Sequence, residues 1–94
     1  MSPLFNLIFS KEFEKQFDKL GDKTLQKRVL KKVLTLKSNP FQGKRLTAME
    51  DDILGNLFRI RIGDFRVVYG INQRTNEIYL VTLGHRRNIY DTID

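Results

Sequence analysis

Apolar and polar positions alternate over Leu57–Ile62 and again over Phe65–Ile71. In the first run Phe58, Ile60 and Ile62 point one way, and Leu57, Arg59 and Arg61 the other. In the second, Phe65, Val67, Tyr69 and Ile71 stand opposite Arg66 and Val68. A period of two in β-branched and aromatic residues predicts half-buried strands. Gly63-Asp64 between the runs is a two-residue loop whose Gly accepts positive φ cheaply, so the pair reads as a tight hairpin. After a polar turn, Asn72–Asn76, a third strand is predicted over Glu77–Leu83. The result is an antiparallel meander. One of its faces carries Arg59, Arg61 and Arg66, and a short basic tail adds His85, Arg86, Arg87 and Tyr90.

Upstream the period lengthens. Phe13, Phe17 and Leu20 fall at i, i+4 and i+7, behind Ser10 as N-cap and Glu12 in the first turn, where the helix dipole favours acid. Gly21 ends this helix and Asp22 caps a second. There Leu25, Val29, Val33 and Leu36 form a stripe, widened by Leu30 and Leu34, with Lys and Arg on the outer side. Ser38-Asn39-Pro40 stops it. The two helices make an antiparallel hairpin, expected to cover one sheet face and leave the arginine face open. Leu4–Phe9 reads as an edge strand, with Pro3 suited to its start. Lys44-Arg45-Leu46 suggests a short extended piece, and Met49–Asp52 an acidic surface loop. The fold class expected is α+β: an N-terminal strand and an α-helical hairpin on one face of a mainly antiparallel sheet, with a short C-terminal tail, Asn88–Asp94.

Composition narrows the function. Ninety-four residues, 40% of them hydrophobic, suit one compact domain over 1–94. No Cys excludes disulfides, thiolate nucleophiles and Cys-ligated zinc, and one His cannot complete an ordinary N/S zinc site. No apolar run approaches the roughly 18–20 residues that span a bilayer, and the N-terminus lacks the basic region and cleavage site of a secretory signal, so a cytoplasmic location is expected. Seventeen Lys and Arg against eleven Asp and Glu leave a net charge of +6, which biases association toward RNA, DNA, ribosomes or an acidic protein. Phosphate-binding glycine loops are absent. Glu50, Asp51 and Asp52 are not spaced as a calcium loop, and no Ser sits where a nucleophile would need it.

The run LFRIRIGDFRVVY followed by LGHRRNIYD resembles the RelE/ParE toxin superfamily of bacterial and archaeal toxin–antitoxin systems. That pattern is an aromatic-Arg-hydrophobic-Arg strand, a Gly-Asp-aromatic-Arg hairpin ending in Tyr, and a closing Gly-His-Arg-Arg-x-x-Tyr. The two-helix opening fits as well, so the resemblance spans essentially the whole chain. It implies an mRNA-cleaving toxin acting in the ribosomal A site. In the alternative branch of the superfamily, of ParE type, a non-enzymatic toxin binds DNA gyrase. An inert basic RNA-binding domain is the third possibility. Either toxin implies an acidic antitoxin that wraps the basic surface with a helix or an added strand, in a hetero-oligomer.

The chemistry implied is attack of an RNA 2′-OH on the adjacent phosphodiester, with neither cofactor nor metal. It needs a base for the 2′-OH, cations for the phosphate and an acid for the leaving 5′-oxygen. The resemblance places the phosphate-stabilising arginine at Arg66; the plain alternative is a surface salt bridge to Asp64, Glu77 or another acid. Related ribonucleases use His, Lys or Arg at the position of His85, a residue able to exchange a proton near neutral pH. Tyr90 matches a tyrosine that contributes to cleavage, and Arg86 is favoured as the second phosphate arginine, a place that the motif lets it exchange with Arg87. Arg59 and Arg61 lie beside this group and more naturally steer RNA than abstract a proton, since a guanidinium keeps its proton and its charge. Arg87, Lys44 and Arg45 complete the expected RNA contacts.

Overall fold

The computed structural model of this chain describes residues 4–46 and 57–93, with 90–93 placed as helical backbone. Pro3, the acidic stretch Met49–Asp52 and the Tyr90 side chain lie outside the described residues. In order, the elements are β1 (Asn6–Phe9), α1 (Lys11–Lys19), α2 (Lys23–Leu34), β2 (Lys44–Arg45), β3 (Leu57–Ile62), β4 (Phe65–Asn72), β5 (Glu77–His85) and α3 (Arg86–Ile93). They build a five-stranded sheet in the order β1-β5-β4-β3-β2. All pairings are antiparallel except β1 with β5, which is parallel.

The helix signals act where the sequence places them. Ser10 Oγ accepts from Phe13 N at 2.9 Å, and Asp22 Oδ1 accepts from Thr24 N and Leu25 N. Gly21 turns the chain between the helices at φ +64°. Gly63 turns the β3–β4 hairpin at φ +59°. The α-helical part of α2 ends at Leu34 rather than at Ser38. Thr35–Lys37 tighten into a 3-10 turn that buries Leu36.

The helix hairpin packs on one sheet face, α1 against β5 and α2 against β3. Phe13, Val29, Val33 and Leu36 meet Phe58, Ile60, Ile62, Val67, Tyr69, Ile71, Ile78, Leu80 and Leu83 in one cluster. Each such side chain contributes roughly 1.5–3 kcal/mol by leaving water. A bulge between Val68 and Tyr69 in the β4–β5 ladder inserts Val81 as an extra residue. The Ser10 hydroxyl donates to Val81 O at 2.7 Å, so the cap of α1 also pins the bulge.

Two expectations change. The tail is a helix, α3, over Arg86–Ile93. The arginine face is not left open, because Leu46, Leu57, Val68 and Ile89 form a second buried cluster there, with Val81 against it. Ile89 alone among the side chains described on α3 is apolar, and it seats the helix over Gly84: a Cβ built on Gly84 would lie 3.2 Å from Ile89 Cδ1.

Candidate nucleic-acid interface

The strand register decides which cations meet. Arg61 lies opposite Arg66, Arg59 opposite Val68, and Lys44 of β2 opposite Arg59. Partners across a ladder project to the same face. Lys44, Arg59, Arg61 and Arg66 therefore share a face; the alternation predicts this for the three arginines, and the β2–β3 register adds Lys44. Lys44 and Arg61 are exposed and Arg59 is half-buried. Arg66 is only 4% exposed. Its Nη1 donates to Gly63 O and Phe65 O, each at 3.0 Å. The hairpin turn thus holds the guanidinium in a fixed pose. Like charges opposed across a ladder repel.

The other candidates separate. His85, the last residue of β5, pairs with Phe65, which the alternation puts on the helix side of the sheet. Its ring meets Phe65 edge-on at 5.5 Å, and Nδ1 accepts from Arg87 N at 3.2 Å. A neutral imidazole in that arrangement carries its proton on Nε2. Arg86 and Arg87 are exposed at the start of α3, and Arg86 N donates to Asp64 O at 2.7 Å, tying α3 to the hairpin turn. Arg45 is exposed but pairs with Phe58, so it belongs to the opposite face from Lys44.

One supporting group has no motif of its own. Tyr69 is fully buried, yet its hydroxyl donates to Pro40 O at 2.8 Å and accepts from Gly43 N at 3.1 Å. This latch holds the segment that delivers Lys44 to Arg59. The hint in the sequence is a tyrosine on the apolar phase of a strand, whose polar tip must find a partner inside.

Burial pushes the Tyr69 phenol from 10.0 up to about 12, against a smaller lowering by the Gly43 hydrogen bond. A raised folded-state pKa stabilises fully below the unfolded value and loses that contribution as pH rises through the folded one. Stability is accordingly expected to fall between pH 10 and about 12. Tyr69→Phe should flatten this alkaline limb in denaturant titrations, and an unchanged limb would contradict the latch.

A model of the ParE toxin of type II toxin–antitoxin systems, parDE, matches residues 7–90. The chain belongs to this toxin family. Solved structures agree on the fold. The RelE–RelB complex of Pyrococcus horikoshii matches at 26% identity and TM-score 0.72, over 88% of this chain and 96% of the other. The RelBE2 complex of Mycobacterium tuberculosis matches at 20% identity and TM-score 0.73, over 88% and 99%. The isolated RelE toxin of E. coli matches at 21% identity and TM-score 0.71, over 93% and 92%. Comparison with curated proteins finds no match. The toxin thus lies within the RelE/ParE superfamily. Among its described residues no helix is long and apolar enough to cross a membrane.

Proposed function

We propose that this toxin is an endoribonuclease that cuts mRNA in the ribosomal A site. The observation that carries the reading is the Arg61–Arg66 pair: two arginines at facing register positions of the hairpin, one exposed and one held by backbone carbonyls. A fixed fork of donors stabilises charge as it develops on a phosphodiester, and its planarity suits two phosphate oxygens. In the reaction, the 2′-oxygen gives up its proton and bonds to phosphorus. The bond from phosphorus to the 5′-oxygen breaks, leaving a 2′,3′-cyclic phosphate, and the 5′-oxygen takes a proton. Arg66 and Arg61 neutralise the phosphate, and Lys44 and Arg59 hold the flanking strand. Arg86 and Tyr90 are the groups that would serve the leaving oxygen, whereas His85 stands on the helix side of the sheet, away from the arginine face. With arginines rather than a general base on this face among the described residues, cleavage of free RNA is slow, and the ribosome supplies the in-line geometry.

The family model and the burial of Arg66 favour a second reading, a non-enzymatic toxin that binds DNA gyrase. The partner in either case is an antitoxin, the kind of protein bound in the RelBE2 toxin–antitoxin complex, and the net charge of +6 calls for an acidic one. The test sets purified toxin against cell-free translation and against gyrase supercoiling. Translation should stop while supercoiling by a stoichiometric amount of gyrase proceeds. Blocked supercoiling with intact translation would overturn the ribonuclease.

A further inference from the structure

The arginine face does not end at the edge of the sheet. β2 pairs only with Arg59 and Phe58, so among the described residues no strand covers the outer edge of β3 from Ile60 to Ile62. α2 runs along that edge and turns cations toward it. Lys44, Arg59 and Arg61 line one depression together with Lys32. Arg61 and Lys32 also line the next, with Lys31 and Arg28. Because Arg61 and Lys32 belong to both, the two depressions form one basic groove, leading from the arginine face around the β3 edge onto α2. Beyond Arg28 the lining includes Asp22 and Asp64, and there the run of positive charge stops.

We infer that this groove is a second track for an RNA backbone, continuing the strand that the Arg61–Arg66 pair engages. The inference rests on the ribonuclease reading for the choice of RNA. Arg28, Lys31 and Lys32 are all exposed and sit at i, i+3 and i+4, so their charged ends share one helical face. Arg28 and Lys32 are one turn apart, about 6 Å along the helix axis, a spacing that suits successive phosphates of an extended strand. Each end is an exposed cation on a long stem, the kind of contact that binds backbone without reading sequence.

An acidic protein strand fits less well. Backbone groups alternate sides along a strand, and Leu57 O points outward to Leu46 N. Within Ile60–Ile62 only Arg61 then turns its N–H and C=O outward, so an added strand gains two hydrogen bonds at most. The large exposed apolar side chains, Leu4, Ile8, Leu30, Leu34 and Phe41, do not line either depression, so a protein segment finds no anchor there.

The test is fluorescence anisotropy of the full chain with a labelled 2′-O-methyl RNA 20-mer, which binds but lacks the attacking hydroxyl. Wild type is compared with an Arg28→Gln/Lys31→Gln/Lys32→Gln variant. A Lys11→Gln/Lys15→Gln/Lys23→Gln variant has the same net charge, with its changes at exposed positions outside the groove. Loss of three backbone contacts at about 0.7 each should make the slope of log affinity against log salt shallower by about 2. Affinity at 50 mM salt should fall about tenfold or more, and the charge-matched control should keep the wild-type slope. Equal slopes for both variants, or an unchanged slope for the groove variant, would overturn the proposal. So would loss of binding to a labelled polyglutamate peptide with RNA affinity intact, which would assign the groove to an acidic protein. The probe cannot be cut, so the outcome is independent of catalysis. A shallower slope without mRNA cleavage keeps the track and removes the chemistry, whereas cleavage with an unchanged slope removes the track alone.

Discussion

Arg66→Ala is expected to lower mRNA cleavage by about 10²–10³-fold, the usual loss when one preorganised donor is removed from developing charge. It should also cost stability. The side chain is 4% exposed, and Nη1 satisfies two backbone carbonyls of the hairpin turn. Leaving a buried acceptor without its partner costs roughly 1–3 kcal/mol. Two companions separate the effects. Arg66→Lys keeps the charge and loses the planar fork, so activity should remain low while part of the stability returns. Arg61→Ala removes an exposed side chain, where substitutions usually change stability by within about 0.5 kcal/mol, and should still depress cleavage. Thermal melts beside single-turnover cleavage on programmed ribosomes would measure both. An Arg61→Ala protein as active as wild type would mean that the arginine pair does not hold the phosphate.

Gly43→Ala should destabilise the toxin strongly. A Cβ there would stand 2.5 Å from Arg59 O and 2.5 Å from the Tyr69 hydroxyl. One neighbour is sheet backbone and the other a buried phenol hydrogen-bonded to Pro40 O, so neither yields easily. Overpacking of this kind costs about 1–3 kcal/mol, and losing the Gly43–Tyr69 hydrogen bond adds to it. For a domain of this size roughly 3 kcal/mol corresponds to a Tm lower by more than 10 °C. Tyr69→Phe in the same background removes the hydroxyl clash but not the one with Arg59 O, so it should not restore the melt. A Tm within a few degrees of wild type for Gly43→Ala would show that the β2 connection is slack. In that case it does not position Lys44.

How much of this was legible from residues follows from which signals are local. The β3–β4 hairpin, both caps and the helix stripes were legible, because alternation, Gly63, Ser10 and Asp22 each act on their own neighbourhood. The shared face of Lys44, Arg59, Arg61 and Arg66 follows from the same alternation once the register is known. The face of His85 does not. Counting in twos from Ile78 and Leu80 puts Thr82 and Gly84 inward and His85 with the arginines. The extra residue at Val81 reverses that parity, so Leu83 and His85 turn to the helix side. A bulge pinned by Ser10, some seventy residues away in the chain, has no local signature. α3 was hidden for a related reason: its seat depends on Ile89 finding Leu46, Leu57 and Val68 across the sheet. Leu57 and Val68 on the polar phase of their strands were the one trace of that second cluster. The α2 groove was legible only in part, as cations at i, i+3 and i+4 beside the apolar stripe; which edge they face is set by packing.

The most direct test is primer extension along an mRNA held in programmed ribosomes, with and without the purified toxin. The ribonuclease reading predicts a new stop within the A-site codon, weaker with Arg61→Ala or Arg66→Lys. No stop with folded wild-type toxin, together with inhibited supercoiling by purified gyrase, would contradict it and make the arginine face a protein-binding surface.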